Sequence, residues 1–247
     1  MIRTIQGALE FSVNPAVAVQ DFEVAAKTIG VAVVLDGLDG RIARMTNTTS
    51  EFGRELDSLA DIISFGIAPA ILAYVWGVQF ADISIGPGPL DQLQRAGKFI
   101  AFLFLVCGAA RLARFNIQKN PVPKNPGLSH RKYFVGLAIP AAAGMVAASV
   151  YAFGGPITNM AWSAAWLGML ALLSFLMVST WRYWSFKELN FTKPFSPLLL
   201  VLMGGVIYGI WAWSQPVLMI LATAYVSSGI VIRLGGLARR YLRRSPR

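Results

Sequence analysis

The 247-residue sequence is short of charge, cysteine and histidine. Only 14% of its residues are charged, against roughly 25% in ordinary soluble domains, which argues against a water-soluble globule. One cysteine, Cys107, excludes an intramolecular disulfide framework; it lies in an apolar run and reads as a small core residue. The lone histidine, His130, sits in a polar connection and reads as a solvated loop residue, not a ligand. A cleavable signal peptide is not evident, because Glu10, Asn14 and Pro15 interrupt the first 20 residues before any clean apolar stretch forms. Internal repeats and low-complexity tracts are missing too, and the apolar runs do not alternate as membrane β-strands do.

Hydrophobic residues make up 55% of the chain, and apolar runs of the length of a bilayer crossing recur along it. The reading is all-α: a polytopic helical membrane protein. Seven clear spans are expected near 22–42, 56–78, 97–117, 133–153, 161–181, 196–213 and 216–235, with 4–20 as a weak eighth candidate. The formal net charge of +10 falls between apolar runs and at the end, a membrane-topology pattern and not a nucleic-acid face. Arg41, Arg44 and Arg54, then Arg111 to Lys132, then Arg182, Lys187 and Lys193, then the tail, occupy one set of connections, and the alternate set is poor in basic residues. The basic side is therefore expected to be cytoplasmic.

Four carboxylates stand on that side. Asp36 and Asp39 are three apart, and Asp57 and Asp61 four apart, so on helices each pair shares a face. The short connection 45–52 lets the two helices run antiparallel and the pairs converge. Converging carboxylates repel unless cations intervene, and oxygen-only ligands select hard divalent ions: Mg²⁺ or Mn²⁺, two for four carboxylates. Such ions share their coordination with phosphate oxygens. Gly40 lies four after Asp36, Ala43 four after Asp39, and Gly53 four before Asp57. This small-residue stripe lets a ligand or a backbone come close.

The residues Asp36, Asp39-Gly40, Ala43-Arg44, Gly53, Asp57 and Asp61 fit the pattern DxxDGxxARx8GxxxDxxxD at every fixed position. In this the chain resembles the CDP-alcohol phosphatidyltransferases, which move a phosphatidyl group from CDP-diacylglycerol or a related donor onto an alcohol and release CMP. SFGIAPA (64–70), ARLARFN (110–116), GLAIPAAAG (136–144) and MVSTWRYWSFK (177–187) resemble the bacterial phosphatidylserine synthases within that family. The resemblance covers about residues 22–190. It implies a core there, preceded by an atypical segment 1–21 and followed by two further spans over 191–236 and a basic cytoplasmic tail, 237–247. Family members usually open with a full apolar helix; here IQGALEFSVNPAVAVQ is short and polar-interrupted, an interfacial helix, a degraded span or a truncated start.

The resemblance further implies that Asp36, Asp39 and Asp57 hold the metals, and that Asp61 is both ligand and general base toward the serine hydroxyl. Gly40, Ala43, Arg44 and Gly53 would line the nucleotide and donor pocket. It implies CDP-diacylglycerol, L-serine and membrane lipids as partners, a homodimer, and a bacterial inner (plasma) membrane location with the site facing the cytoplasm. Arg111 and Arg114, three apart at the cytoplasmic end of a span, read either as positive-inside anchors or as a site for the serine carboxylate or lipid phosphate. Asn116 and Lys132 are weaker candidates. Two alternatives stay open: a sister enzyme accepting glycerol 3-phosphate or inositol phosphate, and a cation transporter using the acids.

Overall fold

In the computed structural model the described residues are 1–11, 13–45, 50–81, 87–119, 133–184, 204–205 and 208–244. They are helical apart from the connections and one short antiparallel pairing. Helix α1 (Ile2–Glu10) is amphipathic and lies against the start of α2 (Pro15–Met45). There Gly7 sits close to Ala18 and Phe22, and Arg3 donates to the Asp21 carboxylate at 2.7 Å. At 1.5 Å per residue α1 is only about 14 Å long, under half the hydrocarbon thickness. The weak candidate span 4–20 is thus not one helix. Pro15 begins α2, and a residue that precedes proline is biased away from helical backbone.

Helix α3 (Glu51–Asp61) is capped by Ser50, whose hydroxyl accepts from the Gly53 N–H at 2.9 Å. It runs through a π-turn (Ile62–Ile67) into α4 (Ala68–Val78), forming one rod from Glu51 to Val78. The widened turn has a local cause. Pro69 offers no N–H, and its ring would clash with the carbonyl four residues back in a regular helix. The Ala68 N–H reaches the Ile63 carbonyl instead, five residues back.

Helix α5 (Pro87–Lys119) follows, then strand β1 (Tyr133–Val135), α6 (Ile139–Phe153), α7 (Met160–Val178), β2 (Arg182–Trp184) and α8 (Ser214–Arg244). The strands pair antiparallel, Phe134 opposite Tyr183. This ribbon corrects two helix boundaries. The span expected over 133–153 becomes helical only at Ile139, after Gly136 turns the chain at φ +81°, and the one expected over 161–181 ends at Val178. Tertiary pairing overrides the apolar pattern at both places.

Four segments among the described residues are long and apolar enough to cross a membrane: Glu51–Val78, Gly88–Ile117, Met160–Val178 and Ser214–Arg233. Helix α6, with 15 residues, is shorter, and α2 is interrupted by Asp21, Glu23, Lys27, Asp36 and Asp39. The expected span 196–213 and the 185–203 part of the expected domain boundary lie largely outside the described residues. Helix α6 forms the centre, with Ala142, Ala143, Val146 and Val150 wholly buried against α2, α4, α7 and α8. Above it Trp76 and Trp166 meet edge to face with centroids 4.9 Å apart. Their indole N–H groups donate to the Gly154 and Ala73 carbonyls at 2.8 and 2.9 Å.

Candidate active site

Helix α2 carries Asp36 and Asp39 one turn apart near its C-terminal end, and α3 brings Asp57 and Asp61 to meet them. Single carboxylate oxygens of Asp36, Asp39 and Asp57 all lie within 4.8 Å of one another. Asp61 joins through a side-chain hydrogen bond with Asp36. Asp39 and Asp57 face outward, whereas Asp36 and Asp61 are half-buried on the inner side of the group. The four acids singled out by spacing therefore form one cluster.

The donor set fits a hard divalent cation. Octahedral ligands at about 2.1 Å from such an ion stand roughly 3–4 Å apart, so small side-chain adjustments bring three oxygens into one shell. Three carboxylates provide the charge that Mg²⁺ or Mn²⁺ requires, and the group contains oxygen donors only. Two of the acids face outward, which leaves room for oxygens from a substrate.

Ser50 and Gly53 set the orientation of α3 at its first turn. A β-carbon at Gly53 would stand 3.0 Å from the Ser50 hydroxyl, so this glycine keeps the cap close as well as keeping the acidic face open. Gly40, Ala43 and Arg44 lie on the last turns of α2, and their side chains are outside the described residues. So are Lys132 and His130.

Helix α5 forms the next wall. Asn116, a weaker sequence candidate, donates to the Ser58 hydroxyl at 2.9 Å and so ties α5 to α3 between Asp57 and Asp61. The two arginines diverge. Arg111 is 8% exposed, lies over the Phe115 ring at 5.2 Å, and is within electrostatic range of Asp61, Asp36 and Tyr225. Arg114 turns the other way. Its guanidinium donates to the main-chain carbonyls of Val178 at 2.9 Å, Val135 at 3.3 Å, Met177 at 3.4 Å and Ser179 at 3.2 Å.

Those four acceptors include carbonyls left open at the C-terminal end of α7, so Arg114 caps that helix and clamps it to the ribbon. Gly136 completes the clamp. A β-carbon there would come within 2.6 Å of the Met177 carbonyl oxygen and 2.8 Å of the Arg114 guanidinium. Gly136→Ala combines a positive φ with that clash, so it is expected to cost roughly 2 kcal/mol or more. The measurement is the thermal midpoint of the purified protein in detergent, and an unchanged midpoint would refute the clamp.

The sequence offers no sign of Tyr225. It lies on α8 within electrostatic range of Arg111, more than a hundred residues away along the chain and belonging to no motif. Its position follows from Tyr183 on β2, whose ring lies 5.8 Å from that of Tyr225 and covers Gly229. Asn116 and Ser58 were equally invisible as a pair, although ARLARFN marked one partner.

The chain is similar to known proteins. The family model for CDP-alcohol phosphatidyltransferases matches residues 8–177, a stretch that includes all four aspartates, both arginines and the π-turn. A CDP-diacylglycerol–serine O-phosphatidyltransferase of Helicobacter pylori (strain J99 / ATCC 700824) is 36% identical over 214 residues, 78% of this chain and 80% of the relative. The protein of the same name from Methanocaldococcus jannaschii is 32% identical over 179 residues, 72% of each chain. One from Saccharomyces cerevisiae is 40% identical over 122 residues, 49% of this chain and 39% of the relative. With an acidic cluster fit for a divalent ion between two helices of the bundle, and a match of this extent, the chain belongs to the CDP-alcohol phosphatidyltransferase family.

Proposed function

We propose that the protein transfers the phosphatidyl group of CDP-diacylglycerol to the hydroxyl of L-serine, giving phosphatidylserine and CMP. The observation that carries this reading is the convergence of the Asp36, Asp39 and Asp57 carboxylates within 4.8 Å, with Asp61 and Arg111 on its inner side. The names of the relatives above support serine as acceptor.

Asp36, Asp39 and Asp57 would hold divalent ions, Mg²⁺ or Mn²⁺ and two in number, which would supply positive charge to offset that of the donor pyrophosphate. Asp61 adds a ligand oxygen and accepts the serine hydroxyl proton as that oxygen attacks the lipid phosphorus. CMP leaves with the electron pair of the broken P–O bond, and no covalent bond to the protein is needed. Gly40, Ala43, Arg44 and Gly53 line the donor pocket. Arg111, on the buried side of the cluster, takes the serine carboxylate through its planar fork of donors. Arg114 is a structural clamp in this reading, since its guanidinium is committed to four carbonyls.

The reading includes a homodimer in a bacterial inner membrane with the site facing the cytoplasm, supported by the family resemblance and by the basic connections. It keeps the core over 22–190 with an atypical segment 1–21, two appended spans over 191–236 and a basic tail, 237–247. Six arginines between Arg233 and Arg247 would hold that tail to an anionic leaflet.

Incubating membranes that contain the protein with CDP-diacylglycerol and one acceptor at a time tests the reaction. CMP release is expected with L-serine and not with glycerol 3-phosphate or inositol phosphate; the reverse preference would overturn the assignment. Arg111→Lys is expected to raise the apparent KM for serine about tenfold and to leave that for the donor near its original value, because a point charge replaces a bidentate fork. Equal losses for both substrates would return Arg111 to an anchoring role.

A further inference from the structure

The rod that begins as α3 leans on α5 at three heights, and the three contacts are not alike. At its far end Val78 and Tyr74 stand close to Gly97, where a β-carbon would come within 2.9 Å of the Val78 side chain. In the π-turn Gly66 meets Leu105, with 2.8 Å left for a β-carbon. Both are apolar contacts in which a glycine lets two helices close up. At the third height, where the acids are, the contact is a hydrogen bond: Asn116 donates to the Ser58 hydroxyl at 2.9 Å. The positions on the rod fall as those on α5 rise, so the three points lie along one antiparallel seam.

Packing is thin on the last stretch. Among the described residues α3 packs broadly on no helix outside its own rod, and Phe52, Leu56 and Leu59 are all more than half exposed. The helix projects about 16 Å from the π-turn. It is also pushed from one side. The Asp57 carboxylate lies within 4.8 Å of those of Asp36 and Asp39 on α2, and like charges at that distance repel.

Ser58 is placed to resist this. It follows Asp57 directly and precedes Asp61 by three positions, so fixing its side chain fixes the rotation of α3 at the level of both acids. An amide–hydroxyl bond does so without bringing a charge to the cluster. A lysine there would compete with the ion for the carboxylates, and a further acid would add to the repulsion.

We propose that Asn116 and Ser58 are positioning residues for the divalent-ion site: their hydrogen bond holds α3 against the repulsion of the acids, so that Asp57 and Asp61 face Asp36 and Asp39 before an ion arrives. Both residues act through the acids. Ion affinity then depends on α5, a helix that contributes none of the ligands. This rests on the divalent-ion reading of the cluster above.

The test measures Mn²⁺ binding to the full chain in detergent, without substrates, from the electron paramagnetic resonance signal of the free ion. Ser58→Ala removes the acceptor and is expected to raise the Mn²⁺ Kd about fivefold, the scale of one neutral hydrogen bond. The thermal midpoint of the ion-free protein should stay near its original value, because alanine favours helix more than serine and the freed acids can move apart. Asn116→Leu removes the donor and is expected to raise the Kd by the same factor. Ser58→Thr keeps the hydroxyl and is expected to hold the Kd within twofold. The double variant Ser58→Ala/Asn116→Leu should bind Mn²⁺ about as well as either single variant, since both remove one bond. A Kd unmoved by Ser58→Ala, or a double variant whose loss is the product of the two single losses, would overturn the inference; Mn²⁺ binding by the unaltered protein would leave the reading of the cluster standing. Unaltered protein that binds no Mn²⁺ would overturn both.

Discussion

Asp61→Asn is expected to lower serine-dependent CMP release by about 10²–10⁴-fold, the usual range for loss of a positioned general base, while CDP-diacylglycerol still binds. Asparagine matches the volume of aspartate and retains one oxygen, but it cannot accept a proton at catalytic pH. The position of Asp61 is what separates it from its neighbours. Asp39 and Asp57 face outward, whereas Asp61 is half-buried, hydrogen-bonded to Asp36 and on the side of Arg111. An acceptor whose carboxylate rests on Arg111 would place its hydroxyl toward this acid. Asp36→Asn is expected to behave differently, with weaker metal-dependent donor binding as well as slow turnover, because its part is ligation. Donor binding and single-turnover rates on both variants at saturating metal distinguish the two roles. Near-native turnover by Asp61→Asn would remove it from the chemistry.

Chelation of divalent ions should have an effect at least as large. With excess EDTA, CMP release is expected to fall below detection, and Mg²⁺ or Mn²⁺ should restore it. Three carboxylates within 4.8 Å repel one another without a cation and cannot attract a pyrophosphate. The same carboxylates make the ion a ligand of the folded state alone. Ion at a hundred times its Kd should therefore add about 2.7 kcal/mol of stability, seen as a rise in the thermal midpoint with no substrate present. Asp36→Asn should reduce that rise. Full turnover in metal-free buffer, or a midpoint indifferent to Mn²⁺, would contradict the assignment of the cluster.

The aspartates were legible in the sequence because their function imposes spacing. Ligands on one helix face must recur at three or four residues, and two such pairs flanking a short connection have few ways to fold other than toward each other. The apolar runs were legible for a similar reason, since bilayer thickness sets their length. Arg111 and Arg114 show where legibility ends. They occupy one motif, three residues apart, and share composition and periodicity. Only the third dimension separates a guanidinium beside the acids from one spent on the carbonyls of α7. Residues 133–135 read as the start of a span because Tyr, Phe and Val are apolar; their pairing with 182–184 depends on a segment far along the chain. Tyr225 depends on the same ribbon, so no local rule reaches it.

The π-turn between Asp61 and Ala68 carries one more consequence. A regular helix advances by about 100° per residue, so the extra residue in the wide turn offsets the angular phase of everything before it against everything after. Upstream of the turn, the phase aims Asp57 and Asp61 at α2; downstream, it aims Leu72 and Trp76 into the core. Catalysis and packing thus make separate angular demands on a single rod, and the turn is where they are reconciled. Deleting any one residue from 62–67 would remove no charged group and would shorten the apolar run by a single residue. It would also swing the carboxylates by about a quarter-turn away from their partners, so the spacing between the last aspartate and Pro69 is as much a part of the site as the acids themselves.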